Sequence, residues 1–489
     1  MNTYATFLLP KESWQASEEL RMFLNHHKSI SKIILFGENE VTELSEKTVV
    51  IESKSLTDIA DLHKALQEVE TKFAFLLTKP TTISFGTFAI ERFLNLAQST
   101  NSPLLYSDYF EKTDDNILPH PVIDYQVGSL RDDFDFGALL CINVWFAKSI
   151  FQADPLDFKY AALYYLRLKL SQKGEILRIP ENLYQTQTID TRKSGQKIFD
   201  YVNPKNREVQ IEMEQAVTLH LKDINAFLKP HFSEINLEHH NFSKTASVII
   251  PVRNRVKTIE DAVRSVFQQI TNFEFNCIVI DNFSTDGTTE KLKALSAEFK
   301  NLIHIIPTTT DLGIGGCWNT GVHSAECGMF AIQLDSDDIY ASENTLQKIV
   351  DVFLKEKCAM VVGTYQLVNF DLEVFPPGII DHKEWTPENG ANNALRINGL
   401  GAPRAFYTPL LRQINIPNVS YGEDYAVGLA ISRDYKIGRI YDNLYLCRRW
   451  DDNSDAALDV NLMNRHNLYK DRIRTFEVLA RINKNTLNL

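Results

Sequence analysis

The chain has 489 residues, 44% of them hydrophobic and 23% charged, with a formal net charge of −12. That length suits two or three domains with a core each, and the composition is that of a soluble globular protein. The acidic balance excludes general nucleic-acid binding, but not a nucleotide held through a metal. Six cysteines, Cys141, Cys277, Cys317, Cys327, Cys358 and Cys447, show no CxxC spacing. Reduced thiols in a cytoplasmic protein are therefore expected, not a zinc site or a disulfide framework. No signal peptide is expected from Met1 to Pro10, and the longest apolar run, Phe136 to Phe151, is too short to span a membrane and contains Lys148.

In chain order, the first elements are copies of later ones. Leu166 to Gln185, LRLKLSQKGEILRIPENLYQ, lies over Val427 to Leu446, VGLAISRDYKIGRIYDNLYL, without a gap. Upstream, Ala5 and Pro10 lie over Ala246 and Pro251, Phe73 and Ala74 over Phe330 and Ala331, and Ile123 and Asp124 over Ile380 and Asp381. Such slow drift in register is what loop insertions in a duplicated domain produce. The repeat predicts two related α/β domains, 1–185 and 244–455, with a polar, helical linker over 186–243 and a helical tail over 456–489.

In the second copy, Ser247 to Pro251, Asn276 to Asp281 and Leu302 to Ile306 read as strands. They alternate with helical patterns at Thr258 to Gln269, Thr288 to Phe299 and Cys317 to Ala325. That alternation predicts a parallel sheet covered by helices. Polar and Gly-rich residues gather at each predicted strand end, so several loops should meet at one sheet edge, where α/β proteins bind ligands. The next strand-like run, Met329 to Leu334, stops at Asp335, Ser336, Asp337 and Asp338. The plain reading of this quartet is a solvated turn. The functional reading is a site for a hard divalent cation that in turn holds a phosphate.

The two copies differ where chemistry would sit. Opposite Asp335, Ser336 and Asp337 the first has Thr78, Lys79 and Pro80; opposite Asp281 it has Phe36; opposite Glu423 and Asp424 it has Ala162 and Leu163. The first domain is therefore expected to be a scaffold or binding module without catalysis. The competing reading gives it a site of its own at Asp108, Asp114 and Asp115.

Ser247 to about Ser454 resembles the family 2 glycosyltransferases with the GT-A fold. The resemblance rests on SVIIPVRN at Ser247 to Asn254, VIDNFSTDGT at Val279 to Thr288, WNTG at Trp318 to Gly321, LDSDD at Leu334 to Asp338 and GED at Gly422 to Asp424. It implies two GT-A-like, Rossmann-like domains of the nucleotide-diphospho-sugar transferase type, the first degenerate, each a mixed sheet flanked by helices. It implies a nucleotide site at Pro251, Val252, Arg253, Asn254 and Asp281, with Gly313, Asn319, Asp335, Ser336 and Arg449 contributing. Asp337 and Asp335 would hold Mn²⁺ or Mg²⁺, which stabilises the departing diphosphate.

Asp424 matches the base that takes the acceptor proton in an inverting transfer, and Glu423 would orient it. Arg404 and Trp450 fall on the acceptor side, and Asp452 stands where relatives place a further metal ligand. The sequence departs from the family at Asn282, where a second acid is usual, and at Trp318, where an Arg is usual. Asp286 and Gly287 read as a turn and helix cap.

The implied activity is transfer of a hexosyl or N-acetylhexosaminyl group, UDP-sugar being the commonest donor in the family. The acceptor is a glycan or lipid-linked saccharide in surface polysaccharide synthesis, and no nucleic-acid partner is expected. A nucleotidyltransferase would need a Gly-rich basic loop after the first strand, and a sugar-binding protein would not need Asp335, Asp337 and Asp424 together.

The tail from Asn461 to Lys484 reads as a helix with Tyr469, Ile473, Phe476 and Ala480 on one stripe. Packing on the protein's own core is preferred over contact with an anionic membrane, because Asp471 and Glu477 interrupt the basic face. Peripheral membrane contact and homo-oligomer formation stay open.

Overall fold

The computed structural model describes residues 4–38, 40–113, 116–151, 156–187, 206–238, 241–449 and 458–487. The chain divides into two units. The first is built from Met1–Lys193, Asn206–Phe227 and Leu458–Leu489, and the second runs from Leu228 to Ala457.

In the first unit the strands are β1 (Ala5–Pro10), β2 (Ile30–Phe36), β3 (Thr48–Val50), β4 (Phe73–Leu77), β5 (Ile83–Phe85), β6 (Leu104–Lys112), β7 (Ile117–His120), β8 (Leu139–Asn143) and β9 (Leu177–Gln187). They lie in the order β3-β2-β1-β4-β8-β6-β9-β5, with β7 beside β6. The second unit has β10 (Ala246–Val252), β11 (Phe275–Asp281), β12 (Leu302–Ile305), β13 (Phe330–Gln333), β14 (Ile339–Tyr340), β15 (Met360–Val368), β16 (Val374–Ile380), β17 (Arg404–Tyr407) and β18 (Ile437–Arg448). Their order is β12-β11-β10-β13-β17-β15-β18-β14, with β16 beside β15. Adding nine to each strand number of the first sheet reproduces the second. These are two mixed sheets of one topology.

The parallel strands are apolar almost throughout because helices cover both their faces. Val248, Ile249 and Ile250 of β10 and Cys277 to Ile280 of β11 are all buried. The helix Ile259–Phe267 turns Ile259, Ala262, Val263 and Val266 inward, the three-and-four spacing of one helix face. β10, β11 and β13 run parallel, and their C-terminal ends, Val252, Asp281 and Gln333, share one edge.

Strand pairing refines one alignment between the copies. Pro10 pairs with Phe36, whereas Pro251 pairs with Ile280, so Phe36 is the counterpart of Ile280 and Gly37 that of Asp281. A bulge between Ala5 and Thr6 moves β2 by one residue relative to its copy, a shift that ungapped comparison of the sequences hides.

The stretch between the domains divides. Its helix Arg207–Asp223 belongs to the first unit, where Glu212 accepts hydrogen bonds from the backbone of Lys159, Tyr160 and Ala161. From Leu228 the chain belongs to the second unit, and Asn392 bonds the Leu228 backbone in both directions.

The tail helix, Val460–Leu487, also belongs to the first unit, but its faces are not those expected. Phe476 faces solvent, while Asp471 and Glu477 are buried. Apolar periodicity misplaces the buried face because buried ion pairs, not apolar side chains, fill much of it. All six cysteines are free, Cys447 half-buried and the others buried. Among the described residues no helix is long and apolar enough to cross a membrane.

Candidate active site

β13 ends at Gln333, and the chain turns through the acidic quartet. The turn is held from several sides. The Tyr445 hydroxyl accepts from the Asp335 N–H at 3.0 Å, Thr258 Oγ1 donates to the Ser336 carbonyl at 2.9 Å, and the Asp338 N–H returns to the Asp335 carbonyl at 3.2 Å. Arg448, at the end of β18, grips it from below. Its backbone N–H donates to Asp338 Oδ1 at 2.7 Å, its Nε to the Asp337 carbonyl, and its Nη1 to Asp261 at 2.8 Å.

Asp338 is therefore buried under the turn, while the Asp337 carboxylate stays half-buried with Arg255 Nε 3.6 Å away. Burial pushes Asp338 well above the usual carboxylate range, and the charges of Asp337 and Asp335 add to that. Asp335 is raised for the same first reason.

One buried glutamine joins this turn to the neighbouring strand β17. Gln333 Nε2 donates to Asp335 Oδ1 at 2.9 Å, and Gln333 Oε1 accepts from the Arg404 N–H at 3.1 Å. The Arg404 side chain then donates to the Gly401 carbonyl at 3.0 Å and meets Asp424 Oδ2 at 2.6 Å. Glu423 and Asp424 open the helix Glu423–Asp434, where the N-terminal dipole favours acids. Burial, helped by the neighbouring Asp424, raises Glu423 to about 8. Its Oε2 is buried without a hydrogen-bond partner.

The residues expected on the nucleotide side are placed as follows. Asn254 has left-handed backbone (φ 55°); its N–H donates to Ser284 Oγ, and its side chain accepts from the Thr285 N–H. This ties the loop after β10, which includes Pro251, Val252 and an exposed Arg253, to the loop after β11. Asp281 is fully buried and accepts from the Ser284 N–H, Thr289 Oγ1 and the His304 ring at 3.0, 2.5 and 3.2 Å. Asp286 accepts from the N–H groups of Val256 and Thr288, a turn role as expected.

The glycine run is not a loop. Gly315 and Gly316 lie in the first turn of the helix Ile314–Val322, and a Cβ on Gly315 would stand 1.8 Å from the Pro417 carbonyl oxygen. Gly313 likewise abuts the Val419 backbone, and Asn319 bonds the Ile416 backbone through both ends of its amide. These residues seat the segment that leads to Asp424. Trp318 packs edge-on against Phe406, their centroids 5.9 Å apart.

Arg449 donates its N–H to the Val368 carbonyl at 2.7 Å, and the grip on the acidic turn comes from its neighbour Arg448. Trp450, Asp451 and Asp452, and Asp114 and Asp115 in the first unit, lie outside the described residues. Reasoning from sequence missed the linking role of Gln333, whose one signal is a lone amide in an apolar strand.

Among the described residues, the first unit does not carry these side chains at the equivalent positions. Strand pairing puts Leu76 and Leu140 where the second unit has Gln333 and Arg404. The helix Ala162–Ser171 begins with Ala162 and Leu163 where its counterpart begins with Glu423 and Asp424.

Residues 247–409 match the family model described as Glycosyl transferase family 2. A putative teichuronic acid biosynthesis glycosyltransferase, TuaG of Bacillus subtilis, is 26% identical over 192 residues, 39% of this chain and 73% of that protein. The O-antigen chain rhamnosyltransferase WbaN of Salmonella anatum is 29% identical over 117 residues, 24% of this chain and 36% of that protein. The match thus spans nearly three quarters of one relative and about a third of the other. Among solved structures, S. aureus TarS 1–349 in complex with UDP-GlcNAc aligns with a TM-score of 0.37 at 22% identity, over 48% of this chain and 72% of that one. The second unit of this chain contains a glycosyl transferase family 2 domain.

Proposed function

We propose that the second unit is an inverting, metal-dependent glycosyltransferase. It moves a hexosyl or N-acetylhexosaminyl group from a UDP-sugar to a hydroxyl of a glycan or lipid-linked saccharide in surface polysaccharide synthesis. The observation that carries this reading is the link Asp335–Gln333–Arg404–Asp424, which holds the acidic turn and the helix-borne carboxylate at one sheet edge. Polysaccharide synthesis is supported by the names of the TuaG and WbaN relatives.

In this reading Asp424 accepts the proton of the attacking hydroxyl, and Arg404 holds it in place. Glu423, with its raised pKa, stays largely protonated at neutral pH beside it. Arg253 and Arg255, in the loop after β10, would be available to the donor's phosphates. The carboxylates of Asp335 and Asp337 are hard oxygen donors of the kind a hard dication takes. Among the described residues no three His, Cys, Asp or Glu side chains form a complete cage, so Asp337 and Asp335 would share Mn²⁺ or Mg²⁺ with the donor's own phosphates. The ion supplies charge stabilisation of the leaving diphosphate. The first unit is proposed as a non-catalytic module.

A panel of nucleotide-sugars with Mn²⁺, followed by nucleoside diphosphate release with and without saccharide acceptors, tests the proposal. Release of UDP that depends on both metal and acceptor is expected. Release of pyrophosphate from a nucleoside triphosphate and a sugar phosphate would instead assign a nucleotidyltransferase.

A further inference from the structure

The helix Val460–Leu487 sorts its charges. Its only two acids face inward: Asp471 accepts from Ser129 Oγ at 2.8 Å and from Arg474 at 2.9 Å, and Glu477 meets Arg481 at 2.7 Å. All four side chains in these ion pairs are buried.

On the solvent side Arg465, Leu468, Arg472, Phe476 and Leu479 are exposed at helical spacing of three and four, and Asn483 and Leu487 continue the line. Phe476 is 62% and Leu479 53% exposed. Val127 extends the line. It is exposed, and its neighbours bond the helix directly, Gln126 to the Leu468 carbonyl and Gly128 to Thr475 Oγ1.

Four large apolar side chains along one solvent-facing line are more than scattered surface residues. Two arginines and no acid share that line, on a chain whose net charge is −12. A second copy offers no acid on the same line to meet Arg465 and Arg472. An anionic bilayer accepts both halves of the pattern, with the apolar side chains among the acyl chains and the guanidinium groups at the headgroups.

We infer that this helix is an interfacial anchor, lying flat on an anionic lipid surface through Leu468, Phe476, Leu479 and Leu487. The inference holds whatever sugar the second unit transfers.

The test is flotation of the full chain with vesicles of phosphatidylcholine alone or mixed with phosphatidylglycerol. Binding is expected only to the mixed vesicles, weakening as salt is raised. The pair Arg465→Glu and Arg472→Glu should weaken it on the order of tenfold or more. Phe476→Ser with Leu479→Ser should weaken it at least as much. Both pairs should keep the wild-type melting curve, since these side chains are exposed. Equal binding to both vesicle types, or to neither, overturns the inference. So does a dimer in sedimentation velocity that Phe476→Ser with Leu479→Ser abolishes while vesicle binding is unchanged.

Discussion

Arg404 Nη1 lies 2.6 Å from Asp424 Oδ2, and the same guanidinium nitrogen donates to the Gly401 carbonyl. An acid fixed this way keeps one orientation, a condition for accepting a proton from a hydroxyl. Asp424→Asn should retain donor binding and lose transfer on the order of a hundredfold to ten-thousandfold. Arg404→Met should lower kcat with little change in the KM for donor. Calorimetry with the donor and single-turnover transfer separate the two effects, and full transfer by Asp424→Asn sinks the assignment of the base.

The acidic turn makes a different prediction. If Asp337 carries the metal, Asp337→Ala should lose the metal-dependent part of donor binding, and chelator treatment of the wild type should reproduce that loss. Arg448→Ala should act more broadly. It removes the side-chain donors to the Asp337 carbonyl and to Asp261, so melting temperature and donor affinity should fall together. Thermal melts and titrations with Mn²⁺ check both variants.

In the first unit, Arg178 grips Asp108 with two hydrogen bonds of 2.8 Å, and Asp108 also accepts from the Val122 N–H. Asp108→Ala leaves a half-buried arginine with only Asp124, 3.6 Å away, as counter-charge, at a cost of about 1–2 kcal/mol. The expected result is a lower denaturation midpoint with kcat unchanged in the folded fraction. Loss of chemistry in a folded Asp108 or Lys79 variant would mean that the first unit is not a bystander.

The duplication and the placing of the acids were legible in the chain because both rest on local pattern: apolar runs that stop at carboxylates, and an ungapped repeat ending in NLY. Contacts between distant residues were not. Nothing in the neighbourhood of Arg448 and Arg449 says which of two adjacent arginines on a strand turns toward the acids. Gln333 passes for a defect in an apolar run until β17 is seen beside β13. The glycines at 313 to 316 suggest close approach to a ligand, but what approaches them is the backbone of residues 417 and 419.

His120 supplies a pH dependence. Its Nδ1 lies 3.0 Å from Glu111 and its Nε2 3.1 Å from Asp135. Burial alone would lower its pKa, but hydrogen bonds to Asp135 and then Glu111 outweigh burial and raise it to about 9. The unfolded value is about 6.5. The folded state thus holds the proton more tightly. The stabilisation is fully present below about pH 6.5 and is lost as pH rises through about 9. Its ceiling is about 3 kcal/mol. Urea midpoints of wild type and His120→Gln should differ at about pH 6 and converge above about pH 9. A constant difference across that range removes the charged histidine from the account.

Gly315 tests whether the segment leading to Asp424 is held rigidly. A Cβ there would meet the Pro417 carbonyl oxygen at 1.8 Å, too close for any rotamer change to relieve, since the obstacle is backbone. Gly315→Ala must push residues 416 to 419 outward, and Asp424 follows five residues later. Donor binding by the loops after β10, β11 and β13 should survive, because none of the hydrogen bonds that hold Asn254 or Asp335 passes through that segment. The expected signature is a fall in kcat on the order of a hundredfold, the scale of a displaced catalytic group, with metal-dependent donor affinity near wild type. If donor affinity falls in step with kcat, the helix Ile314–Val322 serves the nucleotide directly, as the glycine pattern alone had suggested.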